Sequence, residues 1–130
     1  MADPMPRRLG LCRASRIKQA REFRLVRLQG QRLAVGCLIA NWRPLPADST
    51  SSRLGVITGR RIGGAVIRTR ARRLLRETFR LHQHDLTAPI DLVLVARPSI
   101  AGKPFLAVER DLLTTLRKAR LLKPQPGPSK

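Results

Sequence analysis

A chain of 130 residues with 42% hydrophobic content predicts one domain with a real core, not a disordered polymer. Its 27 Lys and Arg against 8 Asp and Glu give a net charge of +19 and an isoelectric point near 12, a self-repelling field that a polyanion, nucleic acid first of all, would relieve. The longest apolar run, Leu33 to Ala40, is far too short to span a bilayer, the opening MADPMPRRLGLCR lacks a signal peptide's apolar core, and one Trp with three Phe is poor equipment for a membrane-surface helix.

Only five of the bases are lysine (Lys18, Lys103, Lys118, Lys123 and Lys130). Arginine forks onto phosphate and stacks on bases, whereas lysine acts as a point charge. A coding bias toward Arg would give the same share, but not the excess over acids. Cys12 and Cys37 form neither a metal-ligand pair nor a disulfide framework, which suits a reducing, cytoplasmic compartment.

In chain order, residues 1–14 read as a basic arm with Pro4 and Pro6. The domain is expected over 15–122 and a proline-rich disordered tail over 123–130. A helix capped by Ser15 runs to Gly30 on an approximate stripe of Ile17, Phe23 and Val26. Arg32 to Trp42 reads as one strand, Arg43 to Ser52 as an exposed loop, and Arg53 to Gly59 as a second strand. A long helix opens near Gly64 and ends about His84. Pro89 to Pro98 is nearly continuous in apolar residues, the pattern of a strand covered on both faces. A last helix spans Lys103 to Leu122, with Leu106, Glu109, Leu113, Leu116 and Arg117 at helical spacing. This order makes an α+β domain around a small mixed sheet.

The segment RRIGGAVIRTRARRLLRETFR (residues 60–80) holds eight arginines and one acid. On a helical wheel, Ile67, Ala71, Leu74, Leu75, Thr78 and Leu81 are assigned to an apolar arc, and Arg68, Arg70, Arg72, Arg73, Arg76 and Arg80 to a cationic one. Solvated helix faces normally mix signs, because like charges at i and i+4 repel. The ladder Arg68, Arg72, Arg76, Arg80 therefore points to phosphate binding. Gly59, Gly63 and Gly64 allow a tight turn ahead of a helix N-terminus, without the pattern of a P-loop. His82 and His84 read as solvent-facing. Asp85 and Asp91 flank a loop with nothing pairing them as acid and base, and Glu22, Glu109 and Asp111 lie on otherwise basic or apolar helices. No acid–base pair, metal cluster or nucleophile–base arrangement emerges, so a catalytic centre within the chain is not expected. A DNA-reading helix would want Asn or Gln on this face, and residues 60–80 contain neither.

Arg53 to Arg80, RLGVITGRRIGGAVIRTRARRLLRETFR, resembles the signature of the bacterial ribonuclease P protein subunit. Arg60 and Arg61 match its basic pair, Gly63 and Ala65 its turn, and Arg68-Thr69-Arg70 its Arg-Asn-Arg core, with Thr69 in place of Asn. Arg72, Arg73 and Arg76 match the basic positions that follow. Arg16 to Gly30 and Asp91 to Arg97 look like the family's first helix and last strand, so the resemblance covers about Arg16 to Leu122. It implies an α-β-β-β-α-β-α sandwich whose arginine helix makes a left-handed crossover. It also implies an endonucleolytic function, removal of the 5′ leader from precursor tRNA, with catalysis and Mg2+ held mainly by an RNA subunit. By the same resemblance, Arg60, Arg61, Arg68, Thr69, Arg70, Arg72, Arg73, Arg76 and Arg80 would bind that RNA, and Phe23 with Arg27 would line a cleft for the leader. Arg27 stands where a second Phe is common. RNA subunit and precursor tRNA are the implied partners, with no membrane and no obligate protein partner. A structural rRNA-binding protein of ribosomal type is the alternative that composition leaves open.

Overall fold

The computed structural model describes Ile17, residues 20–46 and residues 52–122. The readings of residues 1–14 as an arm and 123–130 as a tail lie outside these residues. Seven main elements follow in order: α1 (Ala20–Gln29), β1 (Gln31–Val35), β2 (Leu38–Pro44), β3 (Arg53–Ile57), α2 (Ala65–His82), β4 (Ile90–Ala96) and α3 (Phe105–Lys118). This is the expected α-β-β-β-α-β-α order.

The apolar run Arg32 to Trp42 is not one strand but a hairpin. Gly36, at φ +57°, breaks it where a two-residue turn needs a left-handed first residue. A continuous apolar run on either side hides that turn from a reading by hydrophobicity. The turn is bound to α3: the Cys37 N–H donates to Asp111 Oδ2 at 3.0 Å, and a Cβ at Gly36 would meet the same carboxylate at 2.2 Å. Burial first, and the Asp111 carboxylate second, push the Cys37 thiol up to about 12.

The sheet order is β1-β2-β4-β3. β2 lies antiparallel to β1 and to β4, while β3 and β4 are parallel neighbours joined through α2. β4 is the central strand, and six of its seven residues are buried. Its side chains alternate between two layers, as a strand's period of two requires. Leu92 and Leu94 join Leu38, Trp42, Leu75, Phe79, Leu112 and Leu116 in the larger core under α2 and α3. Val93 joins Ile17 and Val26 in a smaller core under α1, with Phe23, Ile57 and Val95 packed against it.

α2 is rotated relative to the expected arc. It buries Ala71, Leu75, Thr78 and Phe79, while Ile67 and Leu81 are exposed. At about 100° per residue, Phe79 lies about 40° from Leu75, whereas Leu81 lies about 120° away. The same geometry places Arg68 about 20° and Arg72 about 60° from Leu75, on the packed flank and not opposite it. α3 likewise turns Val108, Leu112, Thr115 and Leu116 inward. Of the stripe read from the sequence only Leu116 is buried, and Leu106 is 71% exposed.

Asp91, read from the sequence as flanking a loop, is fully buried near the start of β4. Strand pairing sets Arg43 of β2 opposite it on one side and Arg53 of β3 on the other. Arg53 donates from Nε to Oδ1 and from Nη2 to Oδ2, both at 2.8 Å, and Arg43 reaches Oδ2 at 3.4 Å. The two arginines also hold α1: Arg53 Nη1 donates to Glu22 at 2.9 Å and Arg43 Nη1 to Gln29 at 3.3 Å. The bond to Asp91, more than the one to Glu22, raises the Arg53 pKa above the ordinary guanidinium value despite its partial burial.

Three outcomes are expected. Asp91→Asn leaves two arginines facing a neutral amide in a buried site and should lower unfolding free energy by ~3 kcal/mol or more in urea titrations; a loss below ~1 kcal/mol would show that the row does not hold the fold. Cys37 should resist iodoacetamide at pH 8 in the native protein and react in urea, read by peptide mass spectrometry. Its folded pKa of about 12 exceeds the unfolded value of 9.0. The unfolded state therefore loses its proton first, and stability falls as pH rises above 9. The wild type should lose stability relative to Cys37→Ala across that range.

Candidate nucleic-acid interface

Two cationic surfaces stand on this frame. The first begins at the end of β3, where residues 60–62 form a short 3-10 turn anchored by buried Ile62, with Arg60 and Arg61 exposed. Gly64 then caps α2 without any side-chain hydrogen bond. Along α2, Arg70, Arg73 and Arg76 are exposed, whereas Arg68, Arg72 and Arg80 are half-buried. The unbroken cationic face expected from the sequence is therefore narrower, and its arginines differ in what they touch.

Arg72 is oriented by two hydroxyls. Its Nη1 donates to Thr58 Oγ1 at 2.8 Å and its Nη2 to Thr69 Oγ1 at 3.3 Å. Thr69, the departure from the Arg-Asn-Arg core, thus acts as an acceptor for a neighbouring guanidinium one helical turn on. Arg70 reaches across to the segment before α3, donating from Nη2 to the Lys103 carbonyl at 2.7 Å. Arg68 has its Nε enclosed without a hydrogen-bond partner. Arg80 pairs with Glu77, and that contact holds the Glu77 carboxyl below the ordinary carboxylate range. The Arg80 guanidinium thus already faces a carboxylate.

The second surface is a groove of about 570 Å³ between α1 and the sheet, lined by Ala20, Phe23, Arg24, Arg27, Leu28, Arg32 and Asn41. Phe23 and Arg27, both named from the sequence, come together here. Phe23 is half-buried and serves two surfaces at once. One part packs into the small core; its ring lies over Gly55 so closely that a Cβ there would sit 2.4 Å from Cε1. Strand pairing brings the other lining residues in. Arg32 of β1 pairs with Asn41 of β2, and Asn41 with Val93 of β4, so all three share the face that α1 covers. Sequence reasoning missed Arg24, Arg32 and Asn41. The position of Arg24 beside Phe23 and Arg27 on one helix could have suggested it; Arg32 and Asn41 carry no local signal.

Neither surface is lined by an unpaired acid. All six described acids have partners: Glu22 and Asp91 with Arg53, Glu77 with Arg80, Asp85 and Glu109 with His82, and Asp111 with the Cys37 N–H. His82 is accordingly not solvent-facing. It bridges from the end of α2 to Asp85 at 3.2 Å and to Glu109 of α3 at 2.8 Å, and His84 too is half-buried and engaged. Among the described residues no three His, Cys, Asp or Glu side chains are grouped to hold a metal ion, and no helix is long and apolar enough to cross a membrane.

Comparison with known proteins agrees with this arrangement. The ribonuclease P family model matches residues 11–120. A relative from Chloroflexus aurantiacus, named ribonuclease P protein component, is 40% identical over 111 residues, which are 85% of this chain and 81% of that protein. The solved RNase P protein of Staphylococcus aureus shares the fold at TM-score 0.76 and 23% identity, over 85% of this chain and all of that one. The RNase P protein of Thermotoga maritima does so at TM-score 0.70 and 26% identity, over 79% and 96%. With the family model spanning nearly every described element, and the arginine helix and the α1 groove on one frame, the chain belongs to the ribonuclease P protein family.

Proposed function

We propose that the protein serves ribonuclease P through two RNA-facing surfaces: α2 with the turn before it binds the catalytic RNA subunit, and the α1 groove takes the 5′ leader of precursor tRNA. Family membership makes the chain a protein component of this tRNA-processing endoribonuclease, and not a structural rRNA-binding protein of ribosomal type. The observation that carries the two-surface reading is the separation of charge. Every described acid is engaged by a basic side chain or a backbone hydrogen bond, while Arg60, Arg61, Arg70 and Arg73 on one surface and Arg24, Arg27 and Arg32 on the other are exposed.

On the first surface, exposed guanidinium groups offer phosphate forks, and Arg72, held by Thr58 and Thr69, offers a pre-oriented one. On the second, the exposed part of the Phe23 ring gives one base a stacking platform, and Arg24, Arg27 and Arg32 follow the backbone of a single strand. On this reading the Mg2+ would be held mainly by the RNA subunit, where it would supply water activation and stabilisation of the leaving oxygen. A reducing cytoplasm fits a buried, unpaired Cys37.

Protein alone should not cleave precursor tRNA, and cleavage at low Mg2+ should appear only with the RNA subunit added. Assembly should weaken steeply with salt, each phosphate contact contributing ~0.7–0.9 to the log–log slope; cleavage by nuclease-free protein alone, or a flat salt response, would sink the assignment. The two surfaces should also separate by mutation. Arg73→Ala should weaken assembly by ~1–2 kcal/mol whatever substrate is present. Arg27→Ala should leave assembly intact and reduce the preference for precursor over mature tRNA by ~1 kcal/mol, measured by competitive binding to the holoenzyme. Equal effects of both variants on assembly would show a single surface.

A further inference from the structure

The first two turns of α2 carry a feature that phosphate binding does not use. A hollow of about 420 Å³ opens among Ala65, Val66, Thr69, Arg70 and Arg73. Val66 is 83% exposed, the most exposed of the described large hydrophobic residues, and Ile67 beside it is 42% exposed. A lone surface valine is ordinary. This one forms the apolar floor of a hollow whose rim is two arginines, with Arg60 and Arg61 just ahead in the chain. The rim is partly fixed, because Arg70 is tied to the Lys103 carbonyl at 2.7 Å and cannot fold over the floor without losing that bond.

Charge chooses the occupant. Arginine is common at protein interfaces, but a partner protein would have to supply acidic groups for the two guanidinium groups together with an apolar group for the floor between them. An RNA strand brings both complements at once: phosphates for the rim and, where a nucleotide is unstacked, a flat π face for the floor. We propose that this hollow receives a single unstacked base of the RNA subunit, seated on Val66, with Arg70 and Arg73 on its flanking phosphates. The inference rests on α2 being the surface that binds that RNA, and adds that the contact reads RNA shape by base insertion as well as by charge.

The test compares full-length Val66→Ser with Arg73→Ala. Serine matches valine closely in helix propensity, and the site is exposed, so folding should be unaffected, as the melting temperature will show. Val66→Ser should weaken binding of the purified RNA subunit about fivefold, on the order of losing part of a valine's apolar burial, with an unchanged salt slope. In the same complex one RNA base protected by wild-type protein should become reactive to base-specific chemical probes. Arg73→Ala should instead lower the salt slope by ~0.7–0.9. Wild-type affinity and protection for Val66→Ser, alongside weakened Arg73→Ala, would overturn the base site and leave α2 as an electrostatic surface. If neither variant binds more weakly, the assignment of α2 itself fails. Loss of self-association in Val66→Ser by sedimentation, with RNA binding intact, would overturn the proposal in favour of a contact between copies of this chain.

Discussion

The row Arg43–Asp91–Arg53 across three adjacent strands is the interaction on which the rest of the architecture leans. One fully buried carboxylate faces two arginines, and each arginine passes a second hydrogen bond up to α1, at Glu22 near one end and Gln29 at the other. A buried carboxylate is costly unless its lone pairs are filled, and here a bidentate fork does much of that filling. The row therefore fixes strand register on the α1 face and the lie of α1 over the sheet together. The groove exists because α1 is held there, with Phe23 laid over Gly55 on one side and exposed Arg32 with buried Asn41 lining the other.

The second constraint is the shortage of acids. The net charge is +19, and among the described residues each carboxylate has a structural post and none lies unpaired on the cationic surfaces. Asp111 holds the hairpin turn, Glu109 and Asp85 meet at His82 to join α2 to α3, and Glu77 meets Arg80. The remaining repulsion among the α2 arginines is a standing cost that a polyanion removes on binding. Fold and partner are in this sense coupled: the charge distribution that burdens the free protein is the one that suits folded RNA.

The arginines of α2 also differ in kind. Arg72 is pre-oriented by Thr58 and Thr69, Arg70 is tethered to the α3 segment, and Arg68 is partly enclosed, while Arg73 is exposed on the helix surface. A fixed guanidinium loses less side-chain entropy when it meets a phosphate, so in the proposed interface the held positions would supply geometry and the exposed ones reach. The substitution of Thr69 for the family's Asn fits this division, because its hydroxyl helps to hold Arg72 in place.

Local periodicity made α2, its charge and the doubly covered β4 legible from the sequence alone, because helix and strand periods are properties of neighbouring residues. The family signature lay in the same segment. The sequence did not disclose the hairpin at Gly36, whose turn sits within one apolar run, nor the true rotation of α2, which depends on Phe79 finding the core beneath it. It could not reveal Asp91 as the centre of the fold, since its partners lie 38 and 48 residues away. Arg32 and Asn41 entered the groove for the same reason: strand pairing, not sequence neighbourhood, puts them on the α1 face. Periodicity determines which face of an element is apolar, but only the register between distant strands decides which polar residues meet on the other one.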